Sequence, residues 1–155
     1  MDQGANYITE EKRKELENEL ADLKGPKRKE ILSSLEYAKS LGDLSENAEY
    51  HQAREDQAKL EERIKHIEQV LQSSQIFKRH SGDLVEVGSK VVVQKEGSKE
   101  EKTYMIVGSE EADMLKGKIS NKSPFGEALF GKKKNDKVSF KTPNGIVNYK
   151  IISVS

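Results

Sequence analysis

The amino-acid sequence predicts an α+β protein. An N-terminal antiparallel two-helix coiled-coil hairpin occupies 1–77, a linker 78–84, and a small, mainly antiparallel β domain with one short helix 85–155. Three observations carry this reading. Charge divides along the chain: 12 Lys+Arg against 17 Asp+Glu over 1–77, a net of −5, and 15 against 10 afterwards, a net of +5. Pro26 is the only proline of the first half, and its glycines are Gly4, Gly25 and Gly42; the second half holds the other glycines, Pro124, Pro143 and most β-branched runs. Apolar residues recur at spacings of three and four in the first half and in short β-branched blocks in the second, the marks of helix and strand respectively.

Thr9 is placed to cap the first helix, with Glu10 and Glu11 at the positive end of its dipole. Leu16, Leu20 and Leu23 form a stripe that Gly25-Pro26 interrupts and that resumes at Ile31, Leu35 and Ala38. Proline removes a donor and restricts its predecessor, so a kinked helix or two abutting helices are expected. Ala53, Gln57, Leu60, Ile64, Ile67 and Leu71 continue the stripe on the next helix. A narrow seam of this kind suits a coiled coil. A turn at 42–45 folds the arms into a hairpin. Arms of roughly 25–30 residues at ~1.5 Å per residue make it about 40–45 Å long. A two-helix rod has little interior, which explains why hydrophobic residues reach only 34% of the chain. In the second half, strands are expected at 89–95, 102–107, 137–141 and 146–154, with Pro143-Asn144-Gly145 turning the last two into a hairpin. The stretch 123–131 reads as a short helix capped by Ser123, with Pro124 in its first turn and Gly131 ending it.

Composition narrows the function classes. The 27 basic and 27 acidic residues cancel, which excludes a uniformly basic nucleic-acid coat and an acidic solvating tail. There is no cysteine, hence no disulfide, thiol nucleophile or thiolate metal site. The three histidines, His51, His66 and His80, are not clustered. No apolar run approaches the ~18–20 residues of a membrane span and no signal-peptide core is evident, so a cytoplasmic monomer is the expectation.

The segment LGDLSENAEYHQARE, 41–55, holds the chemistry. Asp43 and Glu46 lie three residues apart at a helix start, a spacing at which carboxylates face one way. Two convergent carboxylates can hold a hard cation such as Mg²⁺, although two ligands bind it weakly without a partner to complete the site. The same Asp-x-x-Glu spacing is also a capping box, with Asp43 as cap and Glu46 reaching back. Both readings stand at the level of sequence. Leu44 is apolar at a wet tip, where it can serve as a staple between the arms.

GDLSENAEYHQARE closely resembles the tip signature of the bacterial Gre transcript-cleavage factors, and YMIVGSEEAD (104–113), KISNKSPFGEALFGKKKNDKV (118–138) and TPNG (142–145) extend the resemblance over nearly the whole chain. The resemblance implies a coiled coil that enters the secondary channel of RNA polymerase. Asp43 and Glu46 would then help to hold a catalytic Mg²⁺ jointly with the polymerase and position the attacking water. On that reading the factor is no enzyme itself but stimulates the polymerase to cleave its own backtracked RNA near the 3′ end. Asn47 and Tyr50 match the family's tip asparagine and tyrosine. Lys39 and Arg54 match its small basic spot, which would meet RNA phosphates. Ser45 departs from relatives that carry Lys there. Some homologues with altered acidic tips inhibit without cleaving, and the intact acids here favour cleavage.

The resemblance also implies an FKBP-like second domain that docks on a coiled-coil rim of the polymerase's largest subunit, with ISNKSPFG (119–126) as docking region and Ser123 and Pro124 as candidate contacts. Their plain structural reading is helix cap and first-turn proline. Lys132, Lys133 and Lys134 suggest DNA-binding, but no aromatic platform is interleaved and a solvated loop is the simpler expectation.

Overall fold

The computed structural model describes residues 5–77 and 82–155. These form two compact units, one of 13–73 and the other of 5–12 with 74–77 and 82–155.

The first unit is the helical hairpin. Helix α1 (Glu10–Asp22) runs into a π-helical turn at Leu23–Lys27 that holds Pro26, and α2 (Arg28–Ser40) follows without a break. The wider turn accommodates a residue with no N–H to give, so the expected interruption is a distortion of one long arm rather than a gap. Helix α3 (Ala48–Ser73) returns. Leu16, Leu35, Ala38, Ala53, Leu60, Ile64 and Ile67 are buried along the seam, as their spacing requires. At the end of α3 the seam passes to Val70, which is buried, while Leu71 is half-buried. Arg28 bonds both carboxylate oxygens of Glu61 at 3.0 and 2.8 Å, Arg63 bonds Glu19 at 2.7 and 2.9 Å, and Lys24 pairs with Glu68. Each pair is partly exposed, so their value lies in fixing which helix faces meet more than in stability, at about 0–1 kcal/mol each.

The second unit is a five-stranded sheet of order β5-β4-β3-β7-β6. Strands β3 (Lys90–Lys95), β4 (Glu101–Val107), β6 (Lys137–Thr142) and β7 (Gly145–Val154) fall where the sequence places them. Strand β5 (Lys118–Ser120) is an addition, and it pairs parallel with β4; the other pairs are antiparallel. Helix α4 (Pro124–Leu129) covers one face. Its Phe125 stacks on Phe140 and Tyr149 at centroid distances of 4.6 and 5.0 Å and meets Tyr104 edge-on at 5.3 Å. Val85, Val91, Val93, Ile106, Ile119, Leu129 and Ile151 complete this core.

The expected boundary at 77 differs from the packing. Strand β1 (Asn6–Ile8) pairs parallel with β2 (Ser74–Ile76), and both belong with the sheet unit. Tyr7 joins its core, and Thr9 bonds Glu111 through its hydroxyl at 2.8 Å and its amide at 3.3 Å. Three-residue strands carry too little periodicity to be read from sequence. Thr9 also caps α1, accepting from the Lys12 amide at 3.0 Å. The expected linker at 78–84 lies mostly outside the described residues, and its last residue, Leu84, already bridges to Lys133.

Gly108 marks the closest approach between these segments. Its φ of −69° is ordinary, but a Cβ there would lie 1.6 Å from the Tyr7 carbonyl oxygen. Glycine is required for space rather than for conformation. Gly108→Ala is expected to destabilise the sheet unit by about 1–3 kcal/mol or more through forced displacement of β1, read as a lowered midpoint in thermal or denaturant unfolding; an unchanged midpoint would contradict the packing described.

Candidate functional site: the hairpin tip

Helix α2 ends at Leu41, whose amide reaches back to the Ala38 carbonyl at 3.1 Å, and Gly42 follows at φ +128°, a conformation in which a side chain is strained. Residues 41–46 are all exposed. Asn47 then closes the turn. Its Oδ1 accepts from the Tyr50 amide at 3.0 Å, the bond of an N-cap residue, and its Nδ2 donates to the Ala38 carbonyl on the opposite arm at 2.6 Å.

This settles one of the alternatives open in the sequence. The cap of α3 is Asn47, and neither Asp43 nor Glu46 serves that role. Asp43 Oδ1 instead accepts from both the amide and the hydroxyl of Ser45, each at 3.0 Å. Glu46 is exposed and has no hydrogen-bond or ion-pair partner among the described residues. Asp-x-x-Glu pointed at the wrong cap because an asparagine four residues later, one of the strongest capping types, competes for the same helix start. His51 Nε2 lies 3.3 Å from the Ser45 carbonyl and its ring meets Tyr50 edge-on at 5.8 Å, contacts that local spacing does not signal.

Asp43's carboxyl is held below the usual carboxylate range, first by the Ser45 amide and then by the Ser45 hydroxyl, with slight burial opposing. The tip therefore presents an ionised Asp43 and an exposed Glu46. These are hard oxygen donors of the kind Mg²⁺ takes. Among the described residues no group of three or more His, Asp or Glu could hold a metal, so these two carboxylates make no complete site by themselves.

The other candidates are distributed as follows. Tyr50 is half-buried. Lys39 and Arg54 are exposed on the two arms; Arg54 bonds Gln57 at 2.9 Å, and neither forms an ion pair among the described residues. Leu44, Leu41 and Tyr37 are all exposed, Leu44 to 41%. Ser123 and Pro124 belong to the sheet unit. Ser123 accepts from the Gly126 amide at 3.1 Å and donates to the Ser120 carbonyl at 2.7 Å, so its hydroxyl serves as the cap of α4; Pro124 is exposed in the first turn.

Family models cover both halves: "Transcription elongation factor, N-terminal" matches residues 6–76 and "Transcription elongation factor, GreA/GreB, C-term" matches 80–155. The chain belongs to the GreA/GreB transcription elongation factor family. Transcription elongation factor GreA of Clostridium acetobutylicum is 46% identical, over 99% of this chain and 99% of that protein. The factor of the same name from Roseiflexus sp. (strain RS-1) is 44% identical, over 96% of each. The crystal structure of GreA factor homolog 1 of Thermus thermophilus is 25% identical, covers 97% of this chain and 99% of its own, and gives a TM-score of 0.45.

Two outcomes test the tip of this family member. Asn47→Ala removes the cap and the tie to Ala38, and is expected to cost about 0.5–2 kcal/mol and to fray the first turn of α3, read by amide hydrogen exchange at Tyr50 and His51. Ser45→Ala removes one of the two bonds to Asp43 and is expected to raise its carboxyl pKa toward the ordinary value, measured by NMR titration. The sign is fixed by linkage: a depressed carboxylate pKa means that the bonds to Ser45 contribute at neutral pH and are lost as pH falls through the lowered value.

Proposed function

We propose that this chain inserts its helical hairpin into the secondary channel of RNA polymerase and stimulates the polymerase's own Mg²⁺-dependent cleavage of backtracked RNA. The observation that carries this reading is the release of Asp43 and Glu46 from helix capping. With Asn47 holding the turn, both carboxylates are exposed at the tip and open to a partner.

Asp43 and Glu46 are the residues that would share the metal ion with acidic groups of the polymerase. Bound in this way, Mg²⁺ supplies Lewis acidity and a water of lowered pKa for phosphodiester hydrolysis. The chain's own contribution is to bring two carboxyl oxygen donors to the site and to hold one of them in place. Ser45 fixes one oxygen of Asp43 and leaves the other, Oδ2, for the shared ion. A half-site of two carboxylates binds metal weakly alone, which restricts the chemistry to the assembled complex and makes this protein a cofactor of the polymerase's nuclease rather than an enzyme.

Lys39 and Arg54, which form no ion pair among the described residues, offer cations to the phosphates of the extruded RNA 3′ end, with Tyr50 and Asn47 supporting the tip. The sheet unit supplies docking to the rim of the largest subunit, near Ser123 and Pro124. Because Ser123 is a helix cap, its part in docking is to shape the turn that presents exposed Pro124.

Changes outside the direct ligands of a metal cost about 10–100-fold, so loss of a direct ligand should cost at least that much. Asp43→Asn and Glu46→Gln are each expected to reduce RNA cleavage in stalled, backtracked complexes by about 100-fold or more while retaining polymerase binding. Wild-type cleavage by both variants would remove the metal role from the tip. Blocked synthesis with unshortened RNA from the wild-type chain would identify a non-cleaving channel regulator instead.

A further inference from the structure

The sheet unit carries a cationic feature that the tip chemistry does not use. A groove of about 520 Å³ opens at the end of the sheet where β3, β7 and β6 lie side by side, and its lining includes Lys95, Lys137, Lys150, Gln94, Ser139 and Asn148. Lys137 stands directly opposite Lys150 in the β6–β7 ladder, and Lys150 stands opposite Gln94 on β3. Residues directly opposite in an antiparallel pair share a face, so two lysine side chains leave the sheet as neighbours. Like charges in that position oppose folding. Nothing nearby neutralises them: the ion pairs among the described residues involve none of Lys95, Lys137 and Lys150. The groove's one acid is Glu96.

Two further observations define what would neutralise this charge. Lys141 is exposed on β6 four residues beyond Lys137, hence on the same face, and ~3.3 Å per residue puts it about 13 Å away. That distance is about four phosphates of a duplex strand at 3.4 Å of rise each, longer than a single small anion. Tyr149, the aromatic of the groove, is stacked on Phe125 and Phe140 at 5.0 and 6.0 Å and is committed to the core, so no ring is free to stack a base.

We propose that this lysine groove binds the phosphodiester backbone of a nucleic acid, independently of sequence, with Lys137 and Lys150 as the central contacts, Lys141 on the rim, and Gln94, Ser139 and Asn148 as neutral hydrogen-bonding neighbours. The site does not depend on the cleavage reading: it lies in the sheet unit and needs neither Asp43 nor Glu46.

The test is equilibrium binding of the full chain to a short fluorescent duplex DNA of mixed sequence, by anisotropy over a series of salt concentrations. Each phosphate contact contributes about −0.9 to the slope of log K against log salt. The double variant Lys137→Gln/Lys150→Gln is expected to weaken binding and to reduce that slope by about two. Lys14→Gln/Lys29→Gln, with the same change in net charge on exposed positions of the helical arm, is expected to leave both unchanged. The groove variant relieves a like-charge opposition, so its thermal midpoint should hold or rise, which separates lost binding from lost folding. Equal effects of the two double variants, or no effect of the groove variant, would overturn the proposal. So would saturation of the wild-type chain by inorganic tripolyphosphate or by polyglutamate under conditions where the duplex does not bind.

Discussion

Asn47 is the residue on which the tip depends. Its one side chain makes two bonds in opposite directions, accepting from the first turn of α3 and donating to the last turn of α2. The first satisfies an amide that the helix start leaves without a partner. The second ties together the tip ends of two arms that elsewhere meet through a narrow apolar seam and its flanking ion pairs. Because an amide side chain offers both an acceptor and a donor, one uncharged residue does what a capping acid and a separate cross-arm contact would otherwise share. An ionised carboxylate in its place has no donor for the Ala38 carbonyl. The acids nearby are thereby left out of the helix cap: Asp43 is bonded only by Ser45 of its own loop, and Glu46 is exposed.

The loop before the cap shows a gradation of constraint. Asp43 is held through one oxygen by Ser45, whose carbonyl in turn lies within reach of His51 on the first turn of α3. Glu46 has no such restraint among the described residues. One carboxylate is thus oriented in advance and the other is free to adjust, which suits a pair whose geometry is completed by another molecule. Preorganising both would cost backbone freedom at a six-residue exposed loop; preorganising neither would leave two rotamer-rich side chains to be ordered on binding.

Much of this architecture was legible in the sequence because it rests on repetition. The seam from Leu16 to Ile67 repeats often enough for its period to be unmistakable, and β3, β4, β6 and β7 are long enough to show β-branched blocks between turn residues. What escaped was short or nonlocal. Strands β1, β2 and β5 have three residues each, and β1 and β2 exist because partners far along the chain share their hydrogen bonds. The close approach of Gly108 to Tyr7 joins residues about a hundred positions apart. At the tip, the chemical residue types were visible, but their division of labour was not: the choice between Asp43 and Asn47 as cap depends on where the helix begins, and local spacing satisfied both. The groove at Lys137 and Lys150 was hidden for a related reason, since the two lysines are thirteen residues apart in sequence and become neighbours only through the register of the β6–β7 hairpin.

The π-helical turn at Leu23–Lys27 has a consequence for how the length of the arm can vary. A π turn holds one more residue than the α turn it replaces, and that residue is absorbed as a local widening while α2 continues in phase with the seam. Loss of one residue within 24–26 can therefore be met by reversion to a plain α turn. The same loss anywhere between Leu32 and Leu41 would rotate everything beyond it by about 100° and withdraw it by about 1.5 Å, turning the tip acids away from the direction in which Asn47 and the seam now set them. The arm thus has a place where its sequence can shorten without changing where it points, and that place is far from the tip.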